Sequence, residues 1–330
     1  MKTEVKIIIW VILISAAVIA LVYQPSKNKT TVLRIAHSLD NAHPLHKSLE
    51  FFAKKVEADS NGQMKVYIYP NGQLGSDRET IEQMQSGVLS MSICSCGPLE
   101  SFIPEMQVFG VPYLFVSKDH MLKTLNSDIG KMLLACGEKY GLKGLCFFDA
   151  GARSFYTRNT PVYHPEDLKG LKIRVMKTPM SIRTIKALNG SPTPIDFGEL
   201  YTAIQQGVVD GAENNPPSFY TSMHYELCKY YSLDEHLRIP DMLLISNIFW
   251  NRLPEVQQNI ITRAAEQCAL FQYELWRQRE NAALQEIRNA GIEIIEPDKK
   301  PFIDAVQELW GSFQGTWTGT MIDEIQAVNE

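Results

Sequence analysis

One uninterrupted run of sequence limits the shape of this chain more than any other feature. Through residues 253–290, LPEVQQNIITRAAEQCALFQYELWRQRENAALQEIRNA, no Pro or Gly breaks the chain between Pro254 and Gly291. Those residues are what end helices, so their absence over this length predicts one continuous helix. Its 38 residues would extend about 57 Å at about 1.5 Å per residue, more than the width of a single lobe. Such a helix must lie along two lobes or project as a coiled-coil arm. Apolar residues do not hold heptad spacing through it, which favours a brace across two lobes. The chain has 330 residues, enough for two lobes of about 150 residues, each with its own core.

Ahead of the long helix, strands and helices alternate. TVLRIAH, MKVYIYP, LSMSICSC and LKGLCFFDAG read as strands. Between them, PLHKSLEFFAKKVEADSNG, DRETIEQMQSG and SKDHMLKTLNSDIGKMLLACGEKYG each read as one helix. A second series begins near Ala150, with KIRVM, SPTPID and VVDGAE as strands and PMSIRTIKALNG and GELYTAIQQG as helices. DMLLISNIFW, almost wholly apolar, reads as a further buried strand. This rhythm predicts α/β lobes built on mostly parallel sheets, with a cleft between them. The expected division places residues 30–150 and 239–279 in lobe I, and 151–238 and 280–330 in lobe II.

Residues 1–29 stand apart. Lys2 and Lys6 precede IIIWVILISAAVIALVY at 7–23, a charged start followed by an apolar run. That run is slightly long for a signal peptide and slightly short for a spanning helix, and no clear small-x-small cleavage site follows it. Cleavage near residue 23 and retention as an inner-membrane anchor both stay open, and either one exports the body to the periplasm. The net charge is −5, and no block of Lys and Arg appears, which excludes a nucleic-acid partner. An acidic ligand would have to be held by a few local arginines. Six cysteines are present, at 94, 96, 136, 146, 228 and 268, without a C-x-x-C pair. Cys94 and Cys96 alternate along one expected strand and are poorly placed to bond each other, so free buried thiols are expected.

The sequence lacks G-x-G-x-x-G, G-x-x-x-x-G-K-[ST], G-x-S-x-G and H-E-x-x-H, so no nucleotide cofactor, nucleophile elbow or metalloprotease site is expected. His43 and His46 are three apart, but no further ligand lies nearby, and no metal is expected. What remains is a set of polar residues at the ends of elements. His37 and His43 follow the first strand, and Arg153 follows DAG at the end of another. Glu79, in GSDRE, begins a helix, where a carboxylate serves either the N-terminal dipole or a ligand. Arg174 and Met176 belong to KIRVM. An arginine in a short apolar strand must find a partner, and the choice is Glu213 or Asp210 on the one hand and a ligand carboxylate on the other. In VVDGAENNPPSFY at 208–220, Val208 and Val209 read as the end of a strand. Pro216 and Pro217 then force Asn215 toward an extended conformation. Glu213, Asn214 and Asn215 form either a self-solvating turn or a ligand-facing one at a strand's carboxyl end.

At these stretches the chain resembles the substrate-binding proteins of tripartite ATP-independent periplasmic (TRAP) transporters, DctP type. The resemblance runs through DLKGLKIRV at 167–175, ELYTAIQQGVVDGAENN at 199–215, NGQLGSDRE, GVPYLF and the long helix. It implies two α/β lobes closing over an organic acid, with no cofactor and no catalysis, and delivery to membrane permease subunits. It also implies that Arg174 pairs with the ligand carboxylate, with Arg153 as a second arginine and Asn214 beside it. HSLDNAHPLHK, GPLESFIPEM, DAGARSFYTRN and DGAENNPPSFY look like the branch that takes sugar acids such as glucuronate and galacturonate. On that resemblance Glu79, Asn214, Asn215 and a neutral His43 would meet the hydroxyls, with His37, Met176 and Glu213 lining the site of a monomeric protein. A dicarboxylate or keto acid is the alternative cargo. A sensing module, an ABC-importer binding protein, or an exported lyase or glycosidase using Glu79 with Glu213 or Asp210 is the alternative role.

Overall fold

The computed structural model describes residues 30–328; the apolar run at 7–23 lies outside them. No helix among the described residues is long and apolar enough to cross a membrane. The chain builds two sheets. β1 (Thr31–Ala36), α1 (Pro44–Asp59), β2 (Met64–Tyr69), α2 (Asp77–Gln85) and β3 (Met91–Ser95) open the first. The short α3 (Cys96–Leu99), α4 (Lys118–Leu125), α5 (Asp128–Ala135) and β4 (Leu142–Phe148) complete this half. The second sheet takes β5 (Arg153–Thr157), β6 (Lys172–Val175), α6 (Pro179–Ala187), β7 (Ser191–Pro194), α7 (Leu200–Gln205), β8 (Gly211–Asn214), α8 (Pro216–Thr221) and β9 (Tyr230–Leu237).

From there the chain returns to the first sheet as β10 (Asp241–Ser246), followed by α9 (Asn247–Trp250) and the long α10 (Glu255–Asn289). β11 (Glu293–Ile295), α11 (Lys300–Ala305), α12 (Gln307–Gly311) and α13 (Trp317–Gln326) close it. The strand orders are β2-β1-β3-β10-β4 and β11-β9-β5-β8-β6-β7.

The sheets are mixed rather than mostly parallel, and the crossovers explain why. β1 pairs parallel with β2 and β3 through helical crossovers. β10 instead arrives from the other sheet and runs antiparallel to both β3 and β4. Its first residue, Asp241, therefore lies opposite Ser95 and Phe148, at the carboxyl ends of the neighbouring strands. The expected helix over 117–141 is two helices, because Ser127 interrupts it and caps α5 by accepting the N–H of Ile129. Cys94 lies in β3, but the strand ends at Ser95 and Cys96 opens α3. All six cysteines are free, and five of them are buried.

The long helix has 35 residues, about 52 Å at about 1.5 Å per residue. Ile260, Ile261, Ala264, Ala265 and Cys268 pack into the core of the first sheet. Ile287 packs into the core of the second. Brace is therefore the right description: one rigid element is buried against both halves. Between those contacts, Gln272 and Trp276 are buried against the β4–β5 connection. Gln272 donates to the carbonyl of Asp149 (2.6 Å) and accepts its N–H (2.9 Å). Gly151 follows with φ +64°, and a Cβ there would lie 2.3 Å from Oε1 of Glu280. Only glycine satisfies both the backbone angle and the close approach. The last helix, α13, sets Met321, Ile322 and Ile325 into the core that holds Phe109 and Met121 of the first half.

Candidate functional site

Between the sheets lies a cavity of about 430 Å³, within the range that holds small organic ligands. The ends of β1, β3 and β10 form one wall, and β5, β6 and β8 form the other. His37, His43, Glu79, Arg153, Arg174, Met176, Asn214 and Asn215 all line it. Residues as far as 178 positions apart in sequence, His37 and Asn215, are thus brought to one place.

The two arginines differ in how they are satisfied. Arg153, at the start of β5, faces Glu213 on the adjacent antiparallel β8. Its Nε donates to Oε2 of Glu213 (2.5 Å), its Nη2 to Oε1 (2.9 Å) and to the Glu213 carbonyl (2.9 Å), and its Nη1 to Oδ1 of Asn214 (2.9 Å). Four of the five guanidinium N–H groups are thereby used. Burial works against the charge of Glu213, but Arg153 and then His236 outweigh it and hold the carboxyl down at about 2. His236 stacks on Phe155 at 4.5 Å and lies 2.7 Å from Oδ2 of Asp234. Burial opposes its charge too, yet Asp234 and Glu213 raise it to about 9. Glu213 is thus not a lining residue; it stands behind Arg153 and fixes it.

Arg174 has no such partner. Its Nε donates to the carbonyl of Ile195 (2.8 Å), and its guanidinium lies 5.7 Å from the Phe197 ring. Nη1 is buried and finds no partner among the described residues. Burial lowers the Arg174 pKa, although a guanidinium stays charged in any protein. Neither Glu213 nor Asp210 pairs with it: Glu213 is engaged by Arg153, and Asp210 accepts the N–H of Lys172 (2.8 Å). The pairing that a buried arginine in KIRV demands is therefore left to whatever enters the cavity.

The polar residues around the arginines divide similarly. β8 begins at Gly211, so Val208 and Val209 belong to the turn before it rather than to the strand. Asn215 is extended (φ −80°, ψ 160°), as a residue before proline should be, and Pro216 and Pro217 occupy the first turn of α8. Its Oδ1 caps that helix by accepting the N–H of Ser218 (2.8 Å). Asn214 Oδ1 accepts from Arg153 and from the N–H of Asn215. Both amides have their oxygens committed to the protein, which leaves their NH₂ groups as the donors available to a ligand.

His43 Nδ1 accepts the N–H of Leu45 (3.2 Å), so Nε2 carries the proton and donates to Oγ of Ser218 (3.2 Å) across the cleft. Burial holds its pKa at about 3, leaving it neutral. His37 accepts the N–H of Leu39 at Nδ1 and pairs through Nε2 with Nδ1 of His46 (3.0 Å). His46 thus serves as a partner for His37, not as half of a metal pair, and no metal-ligating cluster occurs among the described residues. Met176 forms part of the wall, and a Cβ on Gly97 would lie 2.9 Å from its sulfur.

Glu79 takes up the helix-end role, one of the two open to it in sequence. Its Oε2 accepts from the backbone N–H of Ser76 (2.7 Å) and from Oγ of Ser76 (2.9 Å), closing a capping box at the start of α2. The side chain is exposed at the rim, and Oε2 of its carboxylate is committed to the helix end. The signal was present in sequence: Ser76 and Glu79 stand in the S-x-x-E spacing of that motif. Two other carboxyls take the inner position. Half-buried Asp77, next to the cap, is pushed up to about 6 by burial, and Asp241 is pushed up to about 7 by burial and then by Asp77. Asp241 is the only acid in the otherwise apolar DMLLIS, the same anomaly that drew attention to Arg174. Phe197 and Ser218, also on the wall, carry no comparable sequence signal.

The family model for the bacterial extracellular solute-binding protein family 7, DctP, matches residues 35–316. The chain belongs to that family. Its α/β two-sheet fold, with one long helix touching both halves, is that of a periplasmic solute-binding protein. A TRAP periplasmic solute-binding protein from Xanthobacter autotrophicus Py2, solved with β-D-galacturonate, is 37% identical. It superposes with a TM-score of 0.87 over 90% of this chain and 100% of its own. One from Anaerococcus prevotii, solved with D-glucuronate, is 34% identical with a TM-score of 0.87 over 90% of this chain and 97% of its own. A solute-binding protein of Chromohalobacter salexigens is 37% identical over 82% of this chain and 81% of its own length. This solute-binding protein therefore serves transport rather than catalysis.

Proposed function

We propose that this solute-binding protein captures a monocarboxylate sugar acid of the glucuronate or galacturonate class and, as a monomer, delivers it to TRAP permease subunits. The observation that carries the reading is the Nη1 group of Arg174, a buried cationic donor at the wall of the cavity without a partner among the described residues. A carboxylate is the group that matches a guanidinium fork. Arg153, already paired with Glu213, contributes its remaining N–H as a fixed dipole rather than as a second free charge. Asn214, Asn215, the Ser218 hydroxyl behind His43, and the edges of His37 and Met176 would then surround the ring. Solved relatives holding uronates at 34–37% identity support the same ligand class.

Residues 30–150 with 239–279, and 151–238 with 280–330, are proposed as the two lobes that close over it, α13 riding on the first. Contacts made from both walls at once would shift the population toward the closed form, the form a permease can distinguish.

A thermal-shift screen tests this with D-glucuronate, D-galacturonate, D-galactose, succinate and pyruvate. A binder at 100 times its dissociation constant should stabilise by about 2.7 kcal/mol. A shift with the uronates but not with galactose supports both the arginine clamp and the sugar-acid class. A shift with succinate or pyruvate alone would overturn the ligand class.

A further inference from the structure

The cavity has opposite chemistry on its two walls. Arg153 and Arg174 come from the second sheet, Asp241 from the first, and Asp77 from α2 beside it. Asp241 is nine-tenths buried, lines the cavity, and has no hydrogen-bond partner among the described residues. Asp77, at the start of α2, lies close enough to raise the Asp241 pKa further. The carboxyl oxygens of Asp241 are open to the cavity, where a ligand's donor can meet them. Its position is rigid, because Asp241 heads a strand hydrogen-bonded on both sides, to β3 and to β4.

We infer that Asp241, seconded by Asp77, is the specificity-determining acid of the pocket, accepting ligand hydroxyls and excluding a second carboxylate. The inference rests on the reading of Arg174 as the carboxylate clamp. With the ligand's carboxylate anchored on the second sheet, its far side faces Asp241. A hydroxyl there donates a hydrogen bond to an acceptor that has none. A second carboxylate there puts two acceptors and two negative charges together in a desolvated space, and one of them must take up a proton.

The charged and titratable groups around the pair all bear on this. Asp149 adds like charge beside Asp241, Arg153 offsets part of it, and the Cys94 thiol is held protonated by burial. Arg174 and Asp196 act on Asp77 from the opposite wall with opposite signs.

The test compares D-galacturonate with D-galactarate, which replaces the galacturonate aldehyde carbon by a second carboxylate. Affinities are measured by isothermal titration calorimetry on the parent protein and on Asp241→Asn, with Asp77→Asn as a second variant. The difference between ring and open chain cancels when the ratio of the two affinities is compared between variants. In Asp241→Asn, galacturonate should weaken about 10- to 100-fold, while galactarate holds or tightens. A collapse of the ratio cannot come from simple damage to the site, which would weaken both. Asp77→Asn should move the ratio the same way by less.

Unchanged galacturonate affinity in both variants, parallel weakening of both ligands, or galactarate still unbound by Asp241→Asn would each overturn the assignment. If the parent binds galacturonate in those cases, the carboxylate clamp stands and only the role of Asp241 falls. A parent that prefers galactarate or succinate to galacturonate overturns both.

Discussion

Replacing each cavity arginine by methionine should separate their roles through unequal effects on stability. Arg153→Met takes the cation away from Glu213, which is 3% exposed and keeps His236 as its ion-pair partner among the described residues. Removing one side of a buried ion pair costs about 3–5 kcal/mol. At about 2–4 °C per kcal/mol for a chain this size, the melting temperature should fall by roughly 6–20 °C. Arg174→Met removes a guanidinium that, among the described residues, makes one hydrogen bond, to Ile195, and keeps Nη1 buried without a partner. The lost bond is worth about 1 kcal/mol, and an unmet buried donor costs about 1–3 kcal/mol. The two nearly cancel, so Arg174→Met should melt within a few degrees of the parent or slightly above it.

With galacturonate added at 100 times the parent's dissociation constant, the parent gains about 2.7 kcal/mol, and Arg174→Met should gain nothing measurable. Arg174→Lys keeps the charge but loses the fork, weakening the ligand by about 1.5–3 kcal/mol, roughly 10- to 150-fold. Scanning calorimetry with and without galacturonate reads all of these. An Arg174→Met protein that unfolds as early as Arg153→Met, or that keeps a full ligand-induced shift, would refute the division of labour.

Stability should also depend on pH in two directions. His37, His43 and His224 are held neutral at about 3 by burial, against an ordinary 6.5. The folded state then binds fewer protons than the unfolded chain, so their contribution is present above pH 6.5 and lost as pH falls toward 3. His236, raised to about 9, contributes fully below pH 6.5 and loses its contribution as pH rises through 9. Asp77 and Asp241, raised to about 6 and about 7, favour the folded state below their ordinary 3.8 and lose that contribution as pH rises through those values. Melting curves from pH 4 to 10 should therefore fall on both sides of an intermediate maximum, and a monotonic profile would contradict these assignments. Gly151→Ala should cost more than about 1 kcal/mol, since φ is +64° and the new methyl meets Glu280 and Trp276; a neutral result would mean the connection repacks freely. Glu79→Gln should leave galacturonate affinity unchanged, because its carboxylate serves the helix cap; an affinity loss would return Glu79 to the ligand.

The identity of the elements was legible along the chain because it depends on local chemistry. Spacing of apolar residues, a stretch free of glycine and proline, and Pro216 and Pro217 after Asn215 each act within a few residues of themselves. So the long helix, the strand–helix alternation and the unusual arginine in KIRV could all be read without coordinates. The capping role of Glu79 was local too, for Ser76 already announced it.

Pairing across the cleft was another matter. Which arginine Glu213 neutralises follows from the register of β5 against β8, which sets Phe155 opposite Glu213 and Ser154 opposite Asn214. Arg153 and Glu213 are 60 positions apart, and no periodicity links them. Asp241 reaches the cavity only because β10 enters the first sheet antiparallel, starting at the carboxyl ends of β3 and β4. The sequence by itself determined the elements, the brace and the family. The tertiary structure decided which charges are spent on each other and which remain for a ligand, because that depends on distances between residues the chain keeps far apart.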